Sequence, residues 1–595
     1  YALYAASNLG SFAGLISYPL IVEPLLTLDQ QSALWTGGYA LLVLLVAGCA
    51  LTMRAQAVEQ APVERTPAPS RRRILHWIAL AIVPSGLMLS TTTHLTTDIV
   101  AVPLLWVLPL GLYLLSFVVA FAVRRDLAQF ITQMAPLIIL IAGGLAFADG
   151  SRQPLFSATL GLSLLFVIAV TLHAEMYRLR PAPDRLTIFY LAMSLGGMIG
   201  GLVCAIVAPT IFDWSYEHVL LILAAALLLP QAPMLAILRK LWSHPRRAFA
   251  LSLLFPLAAL LLSLPADQRM FPALPGWVDI AATTLIGLLA LISLGRPLVF
   301  ALCLLALMLS YGGWHTLKLS ASDARIRSYF GIYTITTRDN GATRSLTHGT
   351  TLHGMQKLTP GLEREPTSYY GRRSGVGLAR SAAGPLYGPG AGIGVVGLGT
   401  GTLACYAAPG QRWSFFEIDP AVVRISRGSG RFTFLSRCTP DARIVLGDAR
   451  LTLAREPAGA LAILAVDAFS SDAVPMHLLT HEALAIYARA LRPDGLLLVH
   501  ISNRYIDLRP VIAAGAAQGG WYAAEMQDIA DPLVDRNIYT SVWIALSRDP
   551  AALERLKALS ADAATWWQPL LPRPGFAGWS DDYATILPLL KNLRP

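Results

Sequence analysis

Val395–Asp419 reads VVGLGTGTLACYAAPGQRWSFFEID. An apolar run, Ile393–Val396, enters Gly397-Leu-Gly399-Thr-Gly401. An Ala-rich stretch expected to be helical follows, and a second apolar run, Trp413–Phe416, ends on Glu417. The pattern is strand, glycine turn, helix, strand. Glycine suits such a turn because it accepts positive φ and lets a ligand approach the backbone N–H groups. Glu417 lies 20 positions after Gly397, where a carboxylate tops the second strand and accepts hydrogen bonds from ribose hydroxyls. The bland alternative is an ordinary Gly-rich turn, and the strand before it and the acid after it weigh against that. The ligand expected is an adenosine-type cofactor, either a dinucleotide or S-adenosylmethionine (SAM).

Outward from this stretch the chain is uneven. Its 595 residues exceed one domain, and 55% hydrophobic with 14% charged residues is more apolar than a soluble average. Nearly all the excess lies before residue 315, in runs long enough to cross a bilayer. The expectation is a multi-pass α-helical membrane domain over 1–315, a small β unit over 316–385, and an α/β doubly wound, Rossmann-like domain over 386–595. The sequence begins on Tyr1 inside an apolar segment, so it reads as a piece of a longer precursor, and no cleavable signal peptide is visible. Five cysteines without CxxC spacing suggest neither a disulfide framework nor a zinc site.

Eleven apolar segments are counted, at 4–27, 34–53, 74–90, 99–123, 129–148, 154–173, 187–211, 217–238, 248–265, 278–294 and 297–313. The first and seventh look related: each carries Tyr, Ser, Leu-Gly, a second Gly four residues on and a closing Pro. Gly10/Gly14 and Gly196/Gly200 are small-xxx-small pairs that let helices approach closely. An internal repeat is one reading and shared composition the other. Glu23, His94 and Asp98 are the ionisable groups of interest here, as part of a substrate pathway or as wetted groups at segment ends.

Loops after even-numbered segments hold fifteen Lys or Arg and loops after odd-numbered ones hold two, Arg152 and Arg269. By the positive-inside rule the first set is cytoplasmic. Eleven crossings would put the globular domain outside, against the cytoplasmic origin of SAM. The last two segments, about 17 residues each, leave the parity and the side of the domain open. The net charge of +10 sits largely in these loops and suits anionic lipid head groups better than nucleic acid.

Past Gly313 the runs shorten and alternate. Tyr329–Thr337, a turn at Asp339-Asn340-Gly341 and Arg344–Leu352 read as an antiparallel unit with an Asn-Gly hairpin. Beyond Glu417, apolar runs at Ala442–Leu446, Leu461–Val466, Gly495–Ile501, Tyr522–Met526 and Tyr539–Leu546 alternate with helical stretches and predict a parallel sheet. In such sheets ligands sit at the carboxyl ends of strands, where Glu417, Asp448 and Asp467 fall. Glu417 suits ribose, Asp448 the adenine amino group, and Asp467 faces whatever reacts. For Asp448 and Asp467 a helix N-cap or turn role is the alternative.

These residues resemble a known family. The β unit with Gly349 and Gln356, then Tyr370, GLGTG, EIDP, GDAR and DAFSSD, is similar to the spermidine synthase family of aminopropyltransferases. With apolar segments before it, the chain resembles bacterial fused transporter-like/spermidine synthase-like proteins, whose features match Ser7–Ser11, Tyr18-Pro19 and Glu23-Pro24. The resemblance implies an integral protein of the bacterial inner membrane that takes SAM or decarboxylated SAM as substrate. An amine then attacks the carbon beside the sulfonium, and methylthioadenosine leaves. It implies that Gln356, Glu417 and Asp448 hold the nucleoside and that Asp467 orients or deprotonates the nucleophile. Gly397, Gly399, Gly401, Asp419 and Ala449 are further candidates for the nucleoside site, and Tyr370, His353 and Asp472 for catalysis, with a structural histidine in a turn as the alternative for His353; no metal is expected. The lipid bilayer and a small-molecule substrate are the implied partners, nucleic acid is not, and homo-oligomer formation stays open.

Three departures from the family pattern matter. Thr400 stands where an Asp is usual among the glycines. Tyr369-Tyr370-Gly371 replaces Tyr-His-Glu, and the acid loop is stretched to Asp467-Ala-Phe-Ser-Ser-Asp472. A dicationic amine needs carboxylates to offset its desolvation, so putrescine is in doubt. Four readings follow: aminopropyl transfer to some amine; cyclisation of SAM by its own carboxylate to a lactone, with Asn503, Arg504 or Tyr505 orienting that group; a transporter or sensor that binds a SAM-related ligand; or methyl transfer.

Overall fold

The structure is a computed structural model and describes residues 2–54, 66–96, 106–148, 153–233, 236–468, 475–531, 533–560 and 566–591. The chain divides into two compact units, Tyr1–Leu20 with Thr36–Arg327, and Ile21–Trp35 with Ser328–Pro595. The small β sheet therefore falls in the same unit as the Rossmann-like sheet.

Unit one is helical. Among the described residues seven helices are long and apolar enough to cross a membrane, the first of them Leu28–Thr52, whose first residues belong to the other unit, and the last Pro297–Ala321. Three more apolar helices, Val107–Ala120, Tyr216–Leu228 and Gly276–Ile292, are shorter. The last span, Pro297–Ala321, is two helical pieces: the apolar one ends at a break where Tyr311 and Gly312 leave helical geometry, Gly312 at φ +107°, and a more polar helix, Trp314–Ala321, follows.

Arg71–His94 and Leu186–Leu202 pack tightly because glycine permits it. A Cβ on Gly196 or Gly200 would lie 2.5 Å from the carbonyl oxygens of Ile78 and Ile82, respectively. Gly10 and Gly14 have nothing within 4 Å of such a Cβ, so the two glycine pairs do not do the same work. Of the ionisable candidates, His94 stacks on His218 at 5.2 Å, Glu23 has one buried carboxylate oxygen without a partner, and Asp98 lies outside the described residues.

Unit two carries two sheets. The first has order β1-β2-β3-β4: β1 (Arg325–Ser328, whose first three residues belong to unit one), β2 (Gly331–Arg338), β3 (Thr343–His348) and β4 (Thr351–Lys357). Asn340 turns β2 into β3 with φ +52°. The run read as one strand, Arg344–Leu352, is broken at Gly349, where φ is +55° and a second hairpin begins.

The second sheet comprises β5 (Gly392–Val396), β6 (Arg412–Glu417), β7 (Arg443–Leu446), β8 (Leu461–Val466), β9 (Leu491–His500), β10 (Tyr522–Asp528), β11 (Ser541–Ser547) and β12 (Trp567–Pro569). Their order is β12-β10-β11-β9-β8-β5-β6-β7. β9, β8, β5, β6 and β7 run parallel, whereas β11 pairs antiparallel with β9 and β10, and β12 antiparallel with β10. The all-parallel expectation is thus corrected at this edge. From β5 the chain winds outward through β6 and β7, then returns to β8 on the other side, which makes the crevice between β5 and β8 the topological switch point. Every residue of β5 and of β8 is buried, as a central parallel strand covered on both faces requires.

The glycine turn opens onto a five-residue 3₁₀ helix, Thr402–Tyr406, and not the α-helix expected. Pro409-Gly410 stops it, and β6 starts at Arg412, so no room remains for further turns. Cys405 is joined to Cys438 in a disulfide across 33 residues, a pairing that the cysteine spacing did not suggest. Spacing alone did not show it because the partners meet only after the chain has passed through β6.

Candidate functional site

A cavity of about 680 Å³ lies at the switch point, lined at its floor by Val396, Gly397, Gly399, Asp467 and Ala468. Gly397 and Gly399 hold φ +90° and +51°. A Cβ on Gly397 would come 2.2 Å from the Asp467 carbonyl oxygen, and one on Gly399 2.5 Å from that of His353. The glycines therefore bring the turn against Asp467 and the small sheet, a second reason for them beyond ligand approach. Gly401, at φ +82°, caps the 3₁₀ helix and does not line the cavity.

Glu417 lines the cavity at the end of β6. Its oxygens accept from the backbone N–H groups of Leu398 and Asp419, both at 2.9 Å. Burial raises its pKa above the usual carboxylate value and these two donors oppose the rise. Asp448 caps the helix Ala449–Leu453 through Leu451 N–H at 2.9 Å and meets His477 Nε2 at 2.9 Å with its other oxygen. Both readings of Asp448 coexist, because it and Ala449 also line the cavity.

Two expected nucleoside contacts are spent elsewhere. Gln356 is fully buried, donates to Glu363 O and Thr433 Oγ1 at 2.9 and 2.8 Å, and accepts from Thr433 N–H at 3.0 Å. Asp419 caps Pro420–Val423 through Ala421 N–H and accepts from Ser328 Oγ. Neither lines the cavity.

Asp467, at the end of β8, is where the expected catalytic groups meet. Tyr370 OH donates to its Oδ2, and His500 Nδ1 lies 2.8 Å from its Oδ1. Burial, then the Asp467 charge, hold the Tyr370 phenol well above its usual pKa, so it remains a proton-bearing donor. His353 lines the same cavity with Nε2 buried and unpartnered. Burial and then His348 push its pKa down to about 4, so the ring is neutral at pH 7. Asp472 lies outside the described residues. Asp581 and Asp582 do not line the cavity: Asp581 pairs with Arg450, and Asp582 accepts from the Leu28 and Asp29 N–H groups.

Residue-by-residue reading missed the aromatic and imidazole wall: Tyr333, His348, Tyr369 and His500 all line the cavity. His500 ends β9, one strand over from Asp467, and its signal was a polar residue closing the apolar run Leu496–Val499. Of the three residues offered for a substrate carboxylate, Arg504 lines the cavity, while Asn503 Oδ1 accepts from Tyr505 and Ile506 N–H and Tyr505 is buried.

No family model and no curated protein matches this chain. Among solved structures it is similar to a probable spermidine synthase from Corynebacterium glutamicum, with 17% identity, 44% of this chain and 97% of that one covered, and TM-score 0.34. It is also similar to the spermidine synthase of Thermotoga maritima, with 13% identity, 39% and 74% covered, and TM-score 0.30. The O-methyltransferase TomG from Streptomyces achromogenes is 16% identical over 29% of this chain and 79% of its own, with TM-score 0.20.

Proposed function

We propose that this is a membrane-embedded enzyme that consumes SAM or decarboxylated SAM by attack at the aminopropyl-side carbon. The observation that supports this best is the Tyr370–Asp467–His500 cluster at the mouth of the β5/β8 crevice. Glu417 and Asp448 sit at the neighbouring strand ends, where they can take a ribose and an adenine amino group. The nucleophile's nitrogen forms a bond to the carbon, the carbon–sulfur pair goes to sulfur, and methylthioadenosine leaves. The proton lost by the nitrogen passes to Asp467. The sulfonium is already a good leaving group, so orientation supplies much of the rate.

One observation favours a second reading, cyclisation of SAM by its own carboxylate. Among the described residues the cavity holds only three acids, Glu417, Asp448 and Asp467, while Arg338 and Arg504 line it and the rest of its wall is rich in phenol and imidazole. That lining suits a carboxylate better than the far ammonium of a diamine.

The catalytic unit faces the oxidising side of the bacterial inner membrane in this reading. The loop charges orient eleven crossings that way, and the Cys405–Cys438 disulfide is of the kind that persists outside the cytoplasm.

The test is to incubate the full chain in detergent with SAM alone, and with decarboxylated SAM plus putrescine, and to identify the nucleoside product. Methylthioadenosine is expected. Adenosylhomocysteine would replace the reading by methyl transfer.

A further inference from the structure

We infer that His500 is a positioning residue for this reaction: through Nδ1–H it holds the Asp467 carboxylate in the orientation that receives the nucleophile's proton. The inference rests on the reading of Asp467 given above. Side chains of both partners are almost fully buried, 5% and 4% exposed, so their 2.8 Å contact is little diluted by water.

The surroundings of the ring fix which nitrogen carries the proton. As a carboxylate, Asp467 only accepts, and Tyr370 OH already donates to Oδ2, so His500 Nδ1 is the donor to Oδ1. On the other side Ser502 Oγ lies 2.8 Å from Nε2 and accepts from Val542 N–H at 2.8 Å, which leaves its own hydrogen for Nε2. Nδ1–H with Nε2 accepting is the neutral tautomer that satisfies every one of these bonds.

The plane of the ring is fixed as well. Tyr369 stacks on one face at 4.7 Å and 19°, and Trp543 on the other at 4.6 Å and 21°. A carboxylate gripped at both oxygens by two immobile donors cannot rotate about its terminal bond, and its remaining lone pairs keep a fixed aim into the cavity. Orientation of that quality is what a positioned proton acceptor requires.

Two substitutions separate the hydrogen bond from the stack. His500→Asn places an N–H near the position of Nδ1 and gives up the stacking ring, whereas His500→Phe keeps the ring and loses the donor. Methylthioadenosine release is measured for each in the full-length protein, with kcat and KM for the sulfonium substrate determined separately. The expected result is a loss of about 10²-fold in kcat for His500→Phe with KM unchanged, and recovery of most of that loss in His500→Asn. Activity that follows the stack, so that Phe works and Asn does not, overturns the proposal, and so does any pattern in which the two variants behave alike.

If the wild-type protein releases no methylthioadenosine, the reading of the reaction fails, and the placement of His500 is judged separately by NMR of ¹⁵N-histidine-labelled protein. A downfield Nδ1 proton that is lost in Asp467→Asn supports the hydrogen bond, and one that is absent or indifferent to that change overturns it.

Discussion

Asp467 and His353 line one cavity and make opposite predictions. Replacing Asp467 by Asn keeps the shape and removes the proton acceptor, so amine-dependent turnover should fall about 10²–10⁴-fold with little change in KM for the nucleoside substrate, measured as methylthioadenosine release. A substrate carboxylate has no proton to lose, so full activity of Asp467→Asn on SAM alone would instead select cyclisation. His353 shows itself in stability. Its folded-state pKa of about 4 lies below the ordinary 6.5, so between those values the unfolded chain binds the proton and the native ring does not. Its contribution is therefore present above pH 6.5 and lost as pH falls toward 4. The unfolding midpoint of the wild type should drop more steeply over that window than that of His353→Gln, and parallel curves would sink the assignment. The acids of the site were legible because a charge closing an apolar run stands out. His500 closes such a run too, yet a neutral imidazole looks like any core histidine until Asp467 is seen beside it.

At the level of elements, the glycine turn and its flanking strands were legible because an apolar strand and a positive-φ turn impose two different residue requirements that follow one another in the chain. Strand direction was not. Ser541–Ser547 is nearly as apolar and buried as the central parallel strands, although Tyr522–Asp528, with Glu525, Gln527 and Asp528, is not, and the chain connections make the pair antiparallel. The small-xxx-small pairs were legible as motifs but not as equals. Gly196 and Gly200 meet backbone at 2.5 Å while Gly10 and Gly14 meet nothing. Gly200→Val should therefore destabilise the helical unit by about 1–3 kcal/mol, and Gly14→Val should be close to neutral. Comparing the two variants' thermal unfolding in the same detergent measures this, and equal losses would mean that helix propensity, not packing, decides.

For the whole molecule the question is on which side of the membrane the globular unit lies. Composition separated an apolar half from a globular one, and the loop charges favoured an outer location, but the cytoplasmic origin of SAM and two short segments held that conclusion open. One structural feature bears on it: the globular unit carries the disulfide Cys405–Cys438, next to the glycine turn itself, whereas the last apolar helix breaks at Tyr311 and Gly312 and leaves the parity where the sequence left it. A thiol pair in the cytoplasm would be kept reduced, whereas the same pair on the outer side would be oxidised during export. Cells quenched in acid and alkylated before and after reduction should thus show Cys405 and Cys438 blocked until reductant is added. A reporter that is active only outside the cytoplasm, fused after Pro595, should be active. Free thiols in both positions together with an inactive reporter would place the unit inside. With the unit outside, the sulfonium substrate proposed for it, made in the cytoplasm, has to cross the bilayer before it reacts.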